Sequence, residues 1–529
     1  MLSLEVLHMK FLASPAVNRL KKYSQKPFDL TKKGALNSRR IETLQGTLGP
    51  LTLLYATDRV DDAVLDSLWQ LAEERGALAK MRAMQSGQKL NKIQGVPSEN
   101  RRVLHTAMRD FFSDRNPSKH ALVASTKAFE EFVKLEQFLK KRSTQKYHTI
   151  IQIGIGGSYL GPEALYKALE KYQVQNRSAR FISNVDPDNT ARILKEVDLK
   201  KTLVVVVSKS GSTLETKTNE ALVRKAFVQK GLDPKTHFLS VTGKNSPMDN
   251  PKAYAASFYM EDYVGGRYSV TSMVGGVLLG FCFGIETFKE VLKGASYMDK
   301  VACSEEKQTN LPLLSALLGI WNRNFLHYPT FAVIPYTEGL ARLPAHLQQC
   351  DMESNGKSID KEGRQVPFCT GPIVWGEPGT SAQHSFYQWI HQGTDIASIE
   401  CIGVKQSQYG YDEQIEGTSS QEKLLANLFA QSIALATGKK DANPNKRFHG
   451  NRPSRILLTK QLTPYSLGAI LSYYEHKIAF QGFLWDINSF DQEGVQLGKK
   501  LAGEIIDCFK GTSAPKEPIK SYLSALEQL

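Results

Sequence analysis

The sequence predicts an α/β protein with two doubly wound domains, each built on a mainly parallel sheet covered by helices on both faces. Short β-branched apolar runs alternate with helical stretches along most of the chain, as in strands buried on both faces. A chain of 529 residues exceeds what one hydrophobic core usually organises, so more than one domain is expected. Glycine- and hydroxyl-rich segments follow two of the predicted strands, at the edge where open parallel sheets bind ligands.

The elements are assigned in chain order. Residues 1–113 are predicted to be a helical region that packs on the larger domain, because Asp61 and Asp62 precede a stretch with apolar residues at helical spacing. A first sheet domain is predicted at 114–284 and a second, larger one at 285–500. Residues 501–529 are predicted to form a C-terminal arm. The predicted strands are TIIQI, ARFISNV, TLVVVVS and HFLSVTG in the first domain and FAVIPY and ASIECIGV in the second.

Composition indicates an ordinary globular protein, with 41% hydrophobic and 23% charged residues. The six cysteines are scattered without a CxxC pattern, so neither a zinc site nor a disulfide framework is expected, and reduced thiols favour the cytoplasm. The apolar N-terminus is interrupted by Glu5, His8 and Lys10, which makes it a poor signal peptide. The longest strongly apolar run, 272–284, is too short to span a bilayer, so no membrane association is expected.

Net charge is the unusual feature of the composition, at +14 with a pI near 9.2. Residues 1–40 contain nine Lys or Arg and two Asp or Glu, a local net charge of +7. Such a balance raises polyanions as partners. No helix-turn-helix, zinc finger or aromatic-basic sheet motif supports nucleic-acid binding, which is therefore not expected.

The segment after TLVVVVS favours phosphate binding. It runs from Ser208 to Thr216 and contains five hydroxyl side chains in nine residues, directly before a helical stretch. A helix N-terminus offers unpaired N–H groups and a positive dipole end, and the hydroxyls add donors. An ordinary Ser/Thr helix cap remains the alternative.

The glycine-rich segment 154–161 does not fit a nucleotide motif. A dinucleotide fingerprint would need Gly where Tyr159 stands, and the GKS at Gly356 lacks the leading Gly of a Walker motif because Asp351 occupies that position. Two interpretations of the segment 154–161 remain: a loop that binds a small molecule, and an ordinary turn between a strand and a helix.

Four further residues could carry chemistry, although each has an ordinary alternative. Arg267 follows two glycines and could pair with an oxyanion, or it could be a surface arginine after a turn. Glu353 lies among small polar residues and could be a general base, or it could belong to a solvated acidic loop. His384 precedes an amphipathic stretch and could move protons, whereas a lone histidine is more often structural. For Lys499, the ordinary expectation is a lysine on the protein surface.

Several segments taken together resemble the phosphoglucose isomerase family, metal-independent enzymes with two sugar-isomerase (SIS) domains. The resemblance covers about residues 85–510. It is carried by IGIGGSYLGPEAL, VGGRYSVTSMVGG, QQCDMESNGKSI, EPGTSAQHSFYQWIHQGTD, FHGNRP, NRRVLHTAMR and the segment from Phe483 to Lys499.

The resemblance implies a role for each matching residue, without a cofactor or metal. Glu353 would move the proton between C2 and C1, and Arg267 would stabilise the enediolate. His384, contributed by the other subunit of a homodimer, would open the sugar ring together with Lys499. Residues implied in substrate binding or support are Ser158, Ser208, Lys209, Ser210, Thr213, Thr216 and Gln492, with Glu215 orienting the histidine and Arg101 near the site.

The resemblance implies reversible isomerisation of glucose 6-phosphate and fructose 6-phosphate, in glycolysis and gluconeogenesis. One alternative is a bifunctional enzyme that also isomerises mannose 6-phosphate. Another is a non-catalytic SIS sensor of sugar phosphates, which would not need Glu353, His384 or Lys499.

Overall fold

The computed structural model describes residues 11–112 and 114–529, with only the backbone at Arg142. The predictions for the first ten residues lie outside this part of the chain. One compact unit ends at Ser489, and Phe490–Leu529 form a second. The helices are α1 Pro15–Ser24, α2 Ser38–Thr43, α3 Asp62–Glu74, α4 Ala77–Gln85, α5 Lys119–Lys140, α6 Leu160–Ala168, α7 Pro187–Glu196, α8 Leu214–Gln229, α9 Pro234–His237, α10 Met273–Phe283, α11 Ile285–Ala302, α12 Leu311–Ile320, α13 Leu343–Leu347, α14 Gly379–Gln383, α15 Tyr387–Gln392, α16 Ser420–Thr437, α17 Pro464–Trp485, α18 Gln496–Phe509 and α19 Ile519–Glu527.

The strands alternate with these helices, as the sequence predicts for an α/β protein. They are β1 Gln45–Leu48, β2 Leu51–Leu54, β3 Thr149–Ile153, β4 Ser178–Ile182, β5 Thr202–Ser208, β6 Phe238–Thr242, β7 Ala256–Tyr259, β8 Thr330–Tyr336, β9 Ile373–Trp375, β10 Ala397–Gln406, β11 Gln414–Ile415, β12 Thr418–Ser419 and β13 Ser454–Gln461. All six strands predicted from apolar runs are present, which confirms the fold class.

The smaller sheet is entirely parallel among the described residues, in the order β4-β3-β5-β6-β7. Every residue of β5 is buried, because helices cover both faces of the sheet. Strands β3 and β5 are neighbours in register, so the loops that follow Ile153 and Ser208 emerge at the same edge. This places the two loops singled out in the sequence side by side.

The larger sheet has the order β1-β2-β13-β10-β8-β9. Its strands β13, β10, β8 and β9 are parallel, whereas β1 and β2 form an antiparallel hairpin whose second strand pairs with β13. The hairpin was not predicted, since residues 1–113 were expected to be helical. Two four-residue strands give too short a pattern to detect, and their partner β13 lies more than 400 residues away in sequence.

The N-terminal region uses part of its positive charge for internal contacts. The predicted helix after Asp61 is present but breaks at Gly76, where φ is 58°, into α3 and α4. The Arg40 guanidinium donates to the carbonyl oxygens of Ala56, Asp58 and Val60 at 2.7–2.9 Å. Part of the local excess of positive charge therefore has a structural role.

Helix α17 is the most buried long helix near the site. Nearly all of its 22 residues are inaccessible, and it packs against α11 and α12. Even so, no helix in the described ranges 11–112 and 114–529 is both long and apolar enough to cross a membrane. The second unit contains α18 and α19, so the predicted C-terminal arm at 501–529 is partly helical.

Candidate active site

The site is centred on an ion pair between Arg267 and Glu353. The Nη1 of Arg267 lies 3.0 Å from Oε2 of Glu353. Arg267 belongs to the 3₁₀ turn Gly266–Tyr268, and Glu353 ends the π-helical turn Gln348–Glu353. The arginine side chain is 1% exposed and the glutamate 25% exposed, so the carboxylate can reach a ligand while the guanidinium stays fixed.

Neutral oxygen atoms hold the other edges of the Arg267 guanidinium. Its Nε donates to the Ser354 hydroxyl at 2.7 Å, and its Nη2 donates to the Ser489 carbonyl at 2.6 Å. The Tyr268 hydroxyl lies 2.7 Å from the same Ser354 oxygen. Because these acceptors carry no formal charge, they orient the positive charge of Arg267 without cancelling it.

The glycine-rich loop after β3 lies directly against the Arg267 turn. A Cβ placed on Gly157 would be 2.1 Å from the Gly266 carbonyl oxygen, so only glycine fits. A Cβ on Gly156 would be 3.1 Å from Nε2 of Gln349, which itself donates to Glu353 at 3.3 Å. This close approach explains the glycines and brings Ser158 beside the Arg267 turn.

The hydroxyl-rich loop after β5 forms a small polar cluster before α8. The hydroxyls of Ser208 and Thr213 are 2.9 Å apart, and Ser210 accepts from the backbone N–H of Ser212 at 3.2 Å. Thr213 precedes the first residue of α8, yet its side chain does not cap the helix. The N-terminus of this 16-residue helix therefore keeps the N–H groups that suit an anion.

Lys209 connects this loop to the Arg267 turn. Its ammonium donates to the Val264 carbonyl at 3.1 Å, three residues before Arg267. Burial lowers the pKa of Lys209, and the charges of Arg101 and Arg267 lower it further. Arg101 and Arg267 are therefore close enough to Lys209 to influence its charge. The role of Arg101 near the site stays a prediction.

His384 and Glu215 are not brought to each other within the single chain. His384 is exposed at the end of α14, and its side chain has no hydrogen bond or ion pair with the residues that the structure describes. Glu215 lies in the first turn of α8 and likewise has no such contact within the described ranges. Their predicted pairing would need a second subunit and stays a prediction.

Lys499 and Gln492 belong to the second unit. Lys499 lies in the first turns of α18, and Gln492 precedes the 3₁₀ turn Glu493–Val495. Their predicted substrate contacts stay predictions. Within the described ranges, no group of three His, Cys, Asp or Glu side chains is arranged to hold a metal ion.

Sequence reasoning missed the residues that orient Arg267. Ser354 and Asn355 directly follow Glu353, and their place in the same motif was an available signal. Ser489 offered none, because its contact with Arg267 is made by a backbone carbonyl across 222 residues. Tyr268 follows Arg267 directly in the motif VGGRYSVTSMVGG, which gave no sign of its contact with Ser354.

A carboxylate–guanidinium pair and a hydroxyl-rich loop, at the edge of a parallel sheet, suit an isomerase of phosphorylated sugars. Sequence comparison is consistent with this class. A profile of the family Phosphoglucose isomerase matches residues 54–520. The chain is 54% identical over 511 residues to a glucose-6-phosphate isomerase of Protochlamydia amoebophila, covering 96% of this chain and 95% of that protein. It is 53% identical over 496 residues to one of Desulfotalea psychrophila, covering 92% of each.

A solved structure gives the same result. The crystal structure of a glucose-6-phosphate isomerase from Chlamydia trachomatis superposes with a TM-score of 0.95 at 49% identity, covering 98% of this chain and 99% of that one. The chain belongs to the phosphoglucose isomerase family.

Proposed function

We propose that this chain interconverts glucose 6-phosphate and fructose 6-phosphate, an aldose–ketose isomerisation. The observation that carries the proposal is the 3.0 Å pair of a fixed Arg267 and an accessible Glu353. Family membership and the names of the relatives support this substrate pair.

The reaction needs one carboxylate to move a proton between neighbouring carbons. Glu353 takes the proton from C2 of the open-chain aldose, which gives a cis-enediolate. A proton moves from the C2 hydroxyl to the C1 oxygen, and Glu353 returns its proton to C1, which forms the C2 carbonyl of the ketose. Negative charge develops on the oxygen atoms at C1 and C2. Arg267 faces that charge from a preorganised position, so little reorganisation is needed as it forms.

The remaining residues bind or open the sugar. The loop from Ser208 to Thr216, with Ser158 and Lys209, holds the phosphate and thereby fixes the reacting carbons. Gln492 contacts the substrate, and Lys499 acts near the ring oxygen. His384, supported by Glu215, exchanges the ring proton, and Arg101 adds positive charge near the phosphate.

The activity test is a coupled assay that follows glucose 6-phosphate formation from fructose 6-phosphate, with and without a chelator. We expect turnover that is unaffected by the chelator. Mannose 6-phosphate in the same assay separates a strict isomerase from a bifunctional one. Binding of sugar phosphates without turnover would instead support the sensor.

We further propose that the chain works in the cytoplasm as a homodimer in which His384 serves the partner's Glu353. The test mixes two inactive variants, His384→Ala and Glu353→Gln, and allows their subunits to exchange. Each mixed dimer would contain one complete site, so random mixing should restore about a quarter of the wild-type activity. No recovery in a mixture proven to contain mixed dimers would place His384 in the site of its own chain.

A further inference from the structure

Ser489, whose carbonyl accepts from Arg267, is held through its hydroxyl by a buried amide. Asn355 is fully buried, and its Oδ1 accepts from the Ser489 hydroxyl at 2.8 Å. Its Nδ2 donates to Oδ1 of Asp351 and to the Ile478 carbonyl, each at 3.1 Å. Both ends of the amide are therefore engaged, which leaves one orientation for the side chain.

At the far end of this chain of contacts, Asp351 forms a buried ion pair with Lys477. Oδ2 of Asp351 lies 3.8 Å from the Lys477 ammonium, and both side chains are almost completely inaccessible. The Lys477 ammonium also lies 3.7 Å from the centre of the Phe331 ring. A buried pair of this kind adds little net stability but restricts geometry, because either charge alone would be costly.

Gly482 of α17 provides the space that this arrangement needs. A Cβ at Gly482 would be 1.9 Å from the Ser489 hydroxyl oxygen and 3.2 Å from Oδ1 of Asn355. No side chain at this position is compatible with Ser489 in its observed place. Helix α17 thus sets how closely Ser489 approaches Arg267.

We propose that Asn355 and Gly482 are positioning residues for Arg267, acting through Ser489. They hold the Ser489 carbonyl 2.6 Å from Nη2, which keeps Nη1 directed at Glu353 and at the charge that develops on the substrate. The inference rests on the proposed role of Arg267 in stabilising the enediolate. It predicts that changes at these two positions weaken the binding of negative charge at the reacting carbons while phosphate binding persists.

The experiment compares two probes in isothermal titration calorimetry. Gluconate 6-phosphate carries a carboxylate at C1, whereas glucitol 6-phosphate carries a neutral hydroxymethyl group there. In Gly482→Ala, displacement of Ser489 should lower the affinity for gluconate 6-phosphate about tenfold and kcat about 10-fold to 100-fold. The affinity for glucitol 6-phosphate and KM should change less than about twofold. Asn355→Ala should act in the same direction.

Adding Ser489→Gly to Gly482→Ala removes the atom that collides with the new Cβ. This double variant relieves the collision but also removes the hydroxyl that Asn355 holds, so it should recover only part of the lost kcat and of the lost gluconate 6-phosphate affinity. It keeps the test available if Asn355→Ala does not fold. Gly280→Ala is the matched control, because it adds a Cβ inside another buried helix against the tips of Leu139 and Leu135. It should leave the ratio of the two affinities unchanged.

Equal loss of affinity for both probes, or an unchanged kcat in Gly482→Ala, would overturn the inference. Arg267→Lys is measured alongside. If that variant preserves the ratio of the two affinities, the proposed role of Arg267 fails and the inference fails with it. If the ratio changes in Arg267→Lys but not in Gly482→Ala or Asn355→Ala, only the positioning role is wrong.

Discussion

Arg109 and Arg267 are both buried arginines paired with carboxylates, yet their surroundings differ. Arg109 forms two parallel hydrogen bonds to Asp299, at 2.8 and 2.7 Å, and contacts Glu475 at 2.7 Å. Arg267 makes one contact with Glu353, and Ser354 and Ser489 supply neutral acceptors. Two inaccessible carboxylates neutralise the Arg109 guanidinium, whereas the Arg267 guanidinium pairs with the accessible Glu353 and with uncharged oxygens.

The pKa values in the Arg109 cluster follow from this arrangement. Burial opposes the charged form of Asp299, but Arg109 and hydrogen bonds hold its pKa well below the ordinary value. Burial likewise opposes the charged form of Arg109, and Asp299 and Glu475 raise its pKa above the ordinary range. Such strong mutual neutralisation suits a structural element, whereas a charge that must act on a substrate has to remain available.

His105 is a buried residue influenced by the charges of both arginines. Its ring stacks on Tyr268 with centroids 4.7 Å apart. Burial, then Arg109, lowers the pKa of His105 well below its ordinary value, with a smaller contribution from Arg267. Neither ring nitrogen has a hydrogen-bond partner among the described residues. Burial and the charges of two arginines therefore both favour the neutral form of the His105 ring.

Glu353→Gln should give the largest effect on activity. The amide cannot accept the C2 proton, so kcat should fall about 10²-fold to 10⁴-fold while sugar-phosphate binding persists. Solvent-isotope exchange into recovered substrate measures the proton step. Near-normal exchange would remove Glu353 from the role of base.

Asp299→Asn should act on stability instead. It leaves Arg109 with an incompletely compensated buried charge, so the free energy of unfolding should fall by about 3–5 kcal/mol. Urea denaturation measures this loss, and kcat of the folded fraction should stay close to the wild-type value. Glu136→Gln, which breaks the partly exposed pair with Lys140, is the control and should cost less than about 1 kcal/mol. A lower kcat without lower stability would contradict the structural role of Asp299.

Arg267→Lys should lower kcat about 10²-fold with little change in KM. One ammonium cannot satisfy the Ser354, Ser489 and Glu353 oxygens from the positions of the guanidinium, so charge stabilisation in the transition state is lost. Steady-state kinetics in both directions measure the effect. A raised KM with unchanged kcat would mean that Arg267 binds substrate and transition state equally.

His105→Phe should have the smallest effect and a pH-dependent one. A histidine whose folded pKa is lowered contributes its full stability above its unfolded pKa of about 6.5 and loses it as the pH falls below that value. Replacing it should reduce the slope of stability against pH below 6.5 by at most about 1.4 kcal/mol per pH unit. Urea unfolding at several pH values tests this, and an unchanged slope would mean that His105 can be protonated in the folded state.

The sequence predicted the strands made of continuous apolar residues, but it missed some of the strands that pair with them. Strand β5 was recognisable because seven consecutive residues are buried on both faces and read as an apolar run. Strand β13 was missed although it joins the hairpin to β10. It contains Arg455, a fully buried arginine within 3.4 Å of Asp58, and such a paired charge is indistinguishable from a surface charge in a single sequence.

The sequence likewise predicted some residues of the candidate site and missed others. Glu353, Arg267 and the hydroxyl-rich loop came from motifs, and the structure brings Arg267 and Glu353 to 3.0 Å. Asn355 stands in the same motif as Glu353, but its function depends on Ser489 and on the missing side chain at Gly482. Contacts across more than 100 residues leave no local pattern.

The sequence by itself determined the fold class, the two loops at one sheet edge and the candidate side chains for the chemistry. Periodicity and local motifs encode these features, since they depend on neighbours within a few residues. Only the tertiary structure decided which arginine is neutralised and which is held by uncharged oxygens. That distinction depends on burial and on partners from distant elements, which set both the cost of each charge and its availability to a substrate.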